Sequence, residues 1–323
     1  MGTTALLLRT ALAPALWGTT YLVSATLLPQ GHPLWAAALR ALPAGLLLIA
    51  LRPGLPRGSW WWRSLLLGTL NIGAFFALLF VAAERLPGGV AAILGSVQTL
   101  LVVVLAAALL GERARAGQVV SALVGTAGVA LLVLRSSASL DPVGVAAGIG
   151  TALTMAFGVV LTRRWGLPSG VHSLTAAAWQ LLGGSLVLVV LAVGVEGAPP
   201  ALDGRALAGF AWLSVLGGAF AYAVFFAGLR RLPATVTSLL ALVNPLVATL
   251  LGWAVLGQAL TAAQVVGAAL VLGAVLVGQR AATQAPQPGR QRHAASPRPG
   301  DEQVDPDEVV VGGVVQPGQR VSV

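Results

Sequence analysis

Several residue types on which protein chemistry often depends are missing or scarce in this chain. Its 323 residues include no cysteine, which excludes disulfides and thiolate metal sites. Lysine is absent too, since all 19 basic residues are arginine, and this excludes a phosphate-binding P-loop. Charged residues make up only 9% of the chain, compared with about 25% in soluble domains. We therefore expect neither a soluble domain nor ATP hydrolysis, and no bound cofactor or metal.

Long apolar segments make up most of the chain. Its mean hydropathy is +0.88, and 57% of its residues are hydrophobic. A run of about 18 or more apolar residues is a candidate membrane span. A cleaved signal peptide is an alternative for the first such run, but the run is long for that purpose. The predicted spans cover residues 8–28 (with a kink at Pro14), 34–51, 64–83, 87–110, 116–134, 143–162, 173–193, 206–229, 233–256 and 261–279.

The second half of the chain repeats the first. A segment that begins with Leu86-Pro87 and ends with Leu110-Gly111 returns 146 residues later, between Leu232-Pro233 and Leu256-Gly257. The two copies align without a gap over 35 positions, and about 14 of these are identical. We therefore divide the chain into a first repeat, a second repeat and a polar tail that we expect to be disordered, at residues 1–135, 142–280 and 281–323.

The arginines predict how the chain is oriented in a membrane. With the N-terminus inside, ten arginines in or beside the loops fall on the cytoplasmic side and three fall outside. Each repeat has five spans, an odd number, so the second repeat enters the membrane from the opposite side. We predict an all-α polytopic membrane protein with ten transmembrane helices, arranged as two inverted five-helix repeats. We also predict a plasma-membrane location with both termini in the cytoplasm.

One set of residues is distributed over both halves in a recognisable pattern. The first half contains Trp17-Gly18, Arg40-Ala41, Phe76, Leu86-Pro87 and Leu110-Gly111-Glu112-Arg113, and the second contains Gln180, Tyr222, Leu232-Pro233, Asn244-Pro245 and Leu256-Gly257. With these residues, the chain resembles the EamA-type family of the drug/metabolite transporter superfamily over about residues 10–279. The resemblance implies ten helices in two inverted repeats. It also implies alternating-access transport of small organic molecules, usually outward, through a cavity lined mainly by the first four helices of each half.

The chain departs from the family pattern at two positions. Thr99 stands where the family commonly has proline in the fourth span, whereas Pro245 is kept in the ninth. Gln258 stands where the family commonly has glutamate after Leu-Gly, whereas Glu112 is kept in the first copy. From the resemblance we expect less kinking in the fourth span and a weaker ion-pair latch near the tenth.

Arg40 is the sharpest candidate for a binding residue. It lies about six residues inside the predicted second span, roughly 9 Å from its start. Charged groups at such depth are expensive and usually face a bundle interior or a cavity. Three interpretations remain open: binding of an anionic group such as a carboxylate or phosphate, snorkelling to the outer interface, and a structural ion pair with Glu84.

Other polar and aromatic residues of the spans complete a candidate substrate-binding set. In the first span Trp17, Thr20, Tyr21 and Ser24 share one helix face, although helix packing alone also explains such a stripe. Gln98 and Asn244 are repeat mates, which predicts that they face each other near the midplane. Each residue taken singly also fits an interhelical hydrogen bond. The full set is Trp17, Thr20, Tyr21, Arg40, Asn71, Gln98, Gln180, Tyr222 and Asn244.

These patterns favour a secondary-active transporter that is not an enzyme. We expect export of a small metabolite, such as an amino acid, or of a drug-like compound, with the lipid bilayer as partner and no nucleic acid. Whether the chain acts as a monomer or a homodimer is left open. No carboxylate lies in the middle of a span, so no proton carrier is identified. The alternatives are a polytopic membrane enzyme acting on lipid or isoprenoid substrates and a non-transporting scaffold.

Overall fold

Every element in the described part of the computed structural model is a helix. The structure describes residues 3–85, 94–112, 116–133, 141–257 and 260–283, which belong to one of the two units of the chain, Met1–Gln284. The predicted tail at 281–323 lies outside these residues except for its first three, which still belong to a helix that runs to Thr283.

The helices are α1 (Thr3–Leu27), α2 (Pro33–Leu51), α3 (Trp60–Gly68), α4 (Ala74–Arg85), α5 (Gln98–Leu110), α6 (Ala116–Val133), α7 (Pro142–Trp165), α8 (Ser173–Val195), α9 (Gly204–Ser214), α10 (Ala221–Leu229), α11 (Ala234–Leu240), α12 (Val243–Leu256) and α13 (Ala262–Thr283). A π-helical turn at Thr69–Gly73 joins α3 to α4, and a second one at Val215–Phe220 joins α9 to α10.

Seven helical segments within the described residues are long and apolar enough to cross a membrane. They are Thr3–Leu27, Pro33–Leu51, Trp60–Ala82, Pro142–Trp165, Ser173–Val195, Gly204–Leu229 and Ala234–Leu256. Three shorter apolar helices, Leu94–Leu110, Ala116–Leu132 and Ala262–Gly278, coincide with the predicted fourth, fifth and tenth spans. The chain is therefore an all-helical, multi-pass membrane protein over the residues that the structure describes.

Some boundaries differ from the sequence prediction. The first helix begins at Thr3, five residues before the predicted start, and continues without a break past Pro14. Trp60 begins α3, four residues before the predicted start of the third span, so three tryptophans form the first turn of this helix. Hydropathy locates the apolar part of each helix, whereas the polar first turns extend beyond the apolar part into the membrane interface.

The ends of several helices follow local sequence signals. Asp141 and Asp203 cap α7 and α9, accepting hydrogen bonds from the backbone N–H of Gly144 (2.8 Å) and of Ala206 (2.7 Å). At the other end, α5 and α12 stop at glycines with positive φ, 66° at Gly111 and 64° at Gly257. This conformation favours glycine, so the repeated Leu-Gly pair is a helix stop in both halves.

Two pairs of helices, one helix of each pair from each half of the chain, run antiparallel. Near the start of α2, the indole N–H of Trp35 donates to the carbonyl of Gly197, which follows α8. Beyond the end of α2, the carbonyl of Gly54 accepts a 2.8 Å hydrogen bond from the indole of Trp179, near the start of α8. The fifth helix α6 and its counterpart α13 also run in opposite directions, since Gly128 faces Gly267 and Ser121 faces Gly278.

Helix interruptions occur at equivalent places in the two halves. The π-helical turns at Thr69–Gly73 and Val215–Phe220 stand 146 residues apart, which is the spacing of the repeat. Ahead of α12 the chain turns at Ala241 and Leu242, because Pro245 has no N–H to continue the helix. The smaller turn ahead of α5, at Val97, occurs beside Thr99, so a lesser break forms even without proline.

Candidate functional site

A cavity of about 520 Å³ lies between helices of both repeats. Its walls come mainly from α1, α2, α4, α5, α7 and α12, with Val129 on α6, Leu213 on α9 and Tyr222 on α10. It opens at the loop between α1 and α2, where the lining residues Gln30 and Gly31 are exposed, and the partly buried Gln98 and Asn244 also line it. A concave site of this size holds a small organic molecule.

Arg40 stands on the wall of this cavity, about 10 Å along α2 from Pro33. The residue is only 7% exposed, which does not match a side chain that snorkels to the surface. Its guanidinium carbon lies 4.8 Å from the centre of the Phe76 ring, in a cation–π contact. The third interpretation, a pair with Glu84, involves a side chain outside the described part of the structure.

Aromatic side chains form much of the rest of the wall. The ring of Trp17 lies 5.1 Å from that of Tyr222, and its indole N–H donates a 2.9 Å hydrogen bond to the carbonyl of Gly217. Phe76 and Phe80 stack with their centres 6.3 Å apart. Trp17 is thereby fixed across the two repeats, and the rings present a rigid apolar surface next to the positive charge of Arg40.

Three buried polar atoms of the lining have no hydrogen-bond partner among the described residues. They are the hydroxyl oxygen of Thr20, Nδ1 of His32 and the side-chain carbonyl oxygen of Asn244. Buried polar groups usually have partners, because leaving one unpaired costs about 1–3 kcal/mol. A ligand that donates hydrogen bonds, such as an ammonium or amide group, would satisfy the Asn244 oxygen.

Of the nine predicted residues, six line the cavity: Trp17, Thr20, Arg40, Gln98, Tyr222 and Asn244. The side chain of Tyr21 lies outside the described part of the structure. The structure places Asn71 and Gln180 away from the cavity lining. The amide of Asn71 donates to Gln180 Oε1 (2.8 Å) and to Thr162 Oγ1 (3.2 Å), so the two residues form a buried polar cluster.

This cluster has a counterpart in the other repeat. Gln180 corresponds to Arg40, and Asn71 corresponds to Gly217, where a β-carbon would stand 3.9 Å from a guanidinium nitrogen of Arg40. One half therefore fills the place with two amides that share a hydrogen bond, although Asn71 Oδ1 has no partner among the described residues. The other half has a glycine there, which leaves room for a guanidinium on the cavity wall.

The cavity also contains residues that the sequence patterns do not single out. His32 and Phe75 line it, and the His32 Nδ1 is buried without a hydrogen-bond partner in the described structure. His32 lies in a loop, where helical periodicity gives no signal. Phe75 could not be identified from the sequence, because composition alone does not tell a phenylalanine that lines a cavity from one that faces lipid or the core.

The charge of the lining has one sign. Among the described residues that line the cavity, Arg40 is the only arginine, and no aspartate or glutamate is present. Within the described residues there is also no group of three histidine, aspartate or glutamate side chains that could hold a metal. The arrangement can therefore attract an anionic group.

A polar contact joins both halves at the membrane face opposite the cavity mouth. Glu112 accepts hydrogen bonds from the backbone N–H of Ala234, at 3.2 and 3.1 Å, and lies 3.8 Å from Arg163 Nε. Arg163 also donates to the carbonyl of Arg230. Burial, with Arg231 beside it, lowers the pKa of Arg230 to about 10, so the side chain remains charged at neutral pH. We call Glu112, Arg163 and Ala234 the latch.

Comparisons with known proteins agree over most of the chain. A profile described as the EamA-like transporter family matches residues 4–134 and 142–278. The chain is 43% identical over 267 residues to Protein PecM of Dickeya dadantii (strain 3937), covering 83% of this chain and 90% of that protein. It is 27% identical over 278 residues to the Uncharacterized inner membrane transporter YedA of Escherichia coli (strain K12), covering 81% and 86%.

A plant relative and a solved structure extend the comparison. The chain is 30% identical over 278 residues to the WAT1-related protein At3g02690, chloroplastic, of Arabidopsis thaliana, covering 80% of this chain and 66% of that protein. A protein crystal structure superposes with a TM-score of 0.74 at 22% identity, over 87% of this chain and 99% of the other. At this identity the match shows a common fold.

Proposed function

Because the chain belongs to the EamA-like transporter family, we propose that it is a secondary-active transporter that exports a small anionic or zwitterionic metabolite, or a drug-like compound of similar charge. The observation that carries the proposal is the cavity between the repeats, with Arg40 on an otherwise aromatic wall. No observation on the described residues favours the alternative of a membrane enzyme.

Alternating access rests on two inverted repeats, 1–135 and 142–280, of five helices each. Two observations support this arrangement: α2 runs antiparallel to its counterpart α8, and α6 runs antiparallel to α13. The three shorter apolar helices bring the long spans to a total of ten. In this proposal the termini are cytoplasmic, the cavity opens outward, and the latch closes the cytoplasmic side.

The lining defines the class of substrate. The Arg40 guanidinium suits a carboxylate or phosphate, and the rings of Trp17, Phe76 and Tyr222 suit an apolar or aromatic body. The unpaired oxygen of Asn244 suits a donor such as an ammonium group. An amino acid or a similar zwitterion combines these features.

Transport into inside-out membrane vesicles tests the function and the role of Arg40 together. Wild-type vesicles should accumulate labelled anionic or zwitterionic solutes, and an ionophore that collapses the driving ion gradient should abolish accumulation. Arg40→Ala should lower the initial rate about tenfold or more, because one charge-assisted hydrogen bond is worth at least about 1.4 kcal/mol. Arg205→Ala, which removes an exposed arginine in the first turn of α9, is the matched control and should transport like the wild type.

Two results would contradict the proposal in different ways. If no solute of any charge accumulates in wild-type vesicles while the protein is folded, transport itself is wrong. If only cationic dyes accumulate and Arg40→Ala is unaffected, transport stands and the anion-binding role of Arg40 is wrong, which would direct attention to the ring of Trp17.

A further inference from the structure

A second cavity, of about 590 Å³, lies at the opposite end of α2 from the mouth of the first. It is formed by the loop between α2 and α3, which carries Arg52 and Arg57, and by the loop that precedes α8. Trp60 and Trp179 stand on its walls. We call it the arginine cavity, and it goes beyond the proposed function because it shares no lining residue with the first cavity.

The arginine cavity carries positive charge without compensation. Arg52 and Arg57 are both exposed, and neither makes an ion pair among the described residues. No aspartate or glutamate is present in the described lining, which also includes His172. Two guanidinium groups that border one concave site, with no carboxylate to neutralise them, attract an anion that accepts several hydrogen bonds, and phosphate is the common biological group of that kind.

The cavity is held in shape before any ligand arrives. The hydroxyl of Thr175 donates a 2.9 Å hydrogen bond to the carbonyl of Arg52, and the indole of Trp179 donates a 2.8 Å hydrogen bond to the carbonyl of Gly54. Both bonds fasten the loop between α2 and α3 to α8. A fixed backbone lowers the entropy that ligand binding would otherwise cost, which is expected of a binding site and not of a freely moving loop.

The arginine cavity lies at the level of the head-group layer of a bilayer. α2 has 19 residues, or about 28 Å, close to the thickness of the hydrocarbon core, and Arg52 follows its last residue directly. Beside the cavity, Leu55, Trp61 and Trp62 are 71%, 58% and 52% exposed. Exposed tryptophans next to arginines are typical of the level where phosphates meet acyl chains.

We propose that the arginine cavity binds the phosphate group of an anionic phospholipid through Arg52 and Arg57, with Trp60 and Trp179 flanking it and Leu55 contacting the acyl chains. The group that the cavity recognises is a phosphate, which either a phospholipid or a soluble phosphate compound could supply. The position at the membrane interface and the exposed apolar residues favour the lipid.

The test measures binding of defined probes to the purified full-length protein in detergent. Phosphatidylglycerol, phosphatidylcholine with the same acyl chains, and inorganic phosphate are titrated, and binding is followed by native mass spectrometry and by tryptophan fluorescence. Wild-type protein should bind phosphatidylglycerol about tenfold more tightly than phosphatidylcholine, a difference of about 1.4 kcal/mol. The double variant Arg52→Gln/Arg57→Gln should lose that preference.

A control with the same change in net charge distinguishes binding at a specific site from general electrostatic attraction to the protein. Arg9→Gln/Arg205→Gln removes two exposed arginines elsewhere and should keep the preference. Thermal denaturation without lipid verifies that both double variants are folded. Saturation by inorganic phosphate alone, lost in Arg52→Gln/Arg57→Gln, would support the phosphate site and assign it to a soluble ligand. Equal binding of the two lipids, or an unchanged preference in Arg52→Gln/Arg57→Gln, would overturn the proposal.

Discussion

At the scale of single residues, the two halves place different chemistry at equivalent positions. Asn71 and Gln180 hydrogen-bond each other inside the protein, whereas Gly217 and Arg40 leave a guanidinium on the cavity wall. Both pairs join the third span of one half to the second span of the other. A hydrogen bond between buried amides stabilises the folded protein, so the first pair has a structural role. A buried cation on a cavity wall attracts anions, so the second pair is suited to ligand binding.

This difference predicts that alanine variants of Asn71 and Gln98 change different properties of the protein. Asn71→Ala should lower stability by about 1–3 kcal/mol, because Gln180 and Thr162 lose a buried donor. Gln98→Ala, which removes an amide of the cavity lining, should lower stability less and raise the transport KM. Thermal denaturation and transport assays on the same preparations measure both. A raised KM with unchanged stability in Asn71→Ala would mean that Asn71 contacts substrate.

A double-mutant cycle sharpens that prediction. The stability losses of Asn71→Ala and Gln180→Ala should combine to less than their sum, by about 0.5–3 kcal/mol, because either change alone breaks the same hydrogen bond. Strict additivity would show that the two side chains are not partners.

At the scale of helices, the points where regular structure stops are the points where the two halves meet. Both π-helical turns contact the second helix of the other half, near Gln180 in one case and Arg40 in the other. π-helical turns occur often at functional sites. The shorter helices α11 and α5 also end or begin at turns beside the cavity, where Ala241, Leu242 and Gln98 line it.

The latch gives a prediction at this scale. Glu112 caps α11 by accepting from the N–H of Ala234 and pairs with Arg163 on α7, so Glu112→Ala should loosen the side of the protein opposite the mouth. Since the chain has no cysteine, Ala106→Cys, a fully buried position on α5, provides a clean reporter. A maleimide should modify it several-fold faster when Glu112→Ala is added. An unchanged rate would mean that the latch does not control access.

The helices could be predicted from the sequence better than the site. Arg40 and Trp17 were identifiable because a charge inside an apolar run and a polar stripe on one helix face are visible without coordinates. Asn71 and Gln180 carry the same kind of signal, yet they pair with each other, and no single-chain pattern tells an amide that faces a cavity from one that faces another amide. The Gln258 and Glu84 predictions fall on side chains outside the described structure.

At the scale of the whole molecule, the two cavities lie at opposite ends of α2. The first opens at Gly31, ahead of α2, and the arginine cavity surrounds Arg52, after it. The Trp62 and Trp165 rings, 5.4 Å apart, put the latch arginine Arg163 on the same face as the arginine cavity. The side of the membrane to which the first cavity opens therefore depends on which face is cytoplasmic.

Single cysteines determine that orientation. Gln30→Cys and Ser59→Cys are exposed positions on opposite faces of a protein that has no cysteine of its own. With cytoplasmic termini, a membrane-impermeant maleimide should label Gln30→Cys in intact cells and Ser59→Cys only in inside-out vesicles. The reverse pattern would invert the topology and make the latch face external.

The contact between α2 and α8 bears on whether the protein needs an uncut polypeptide chain. These helices belong to different repeats but are joined at both ends, by Trp35 with Gly197 and by Gly54 with Trp179. Neither half buries its second helix by itself, so a half expressed alone would be an incomplete fragment. The same interlocking means that an uncut chain between the repeats is not what holds the halves together, and two co-expressed fragments, 1–135 and 136–323, should reassemble into a working protein.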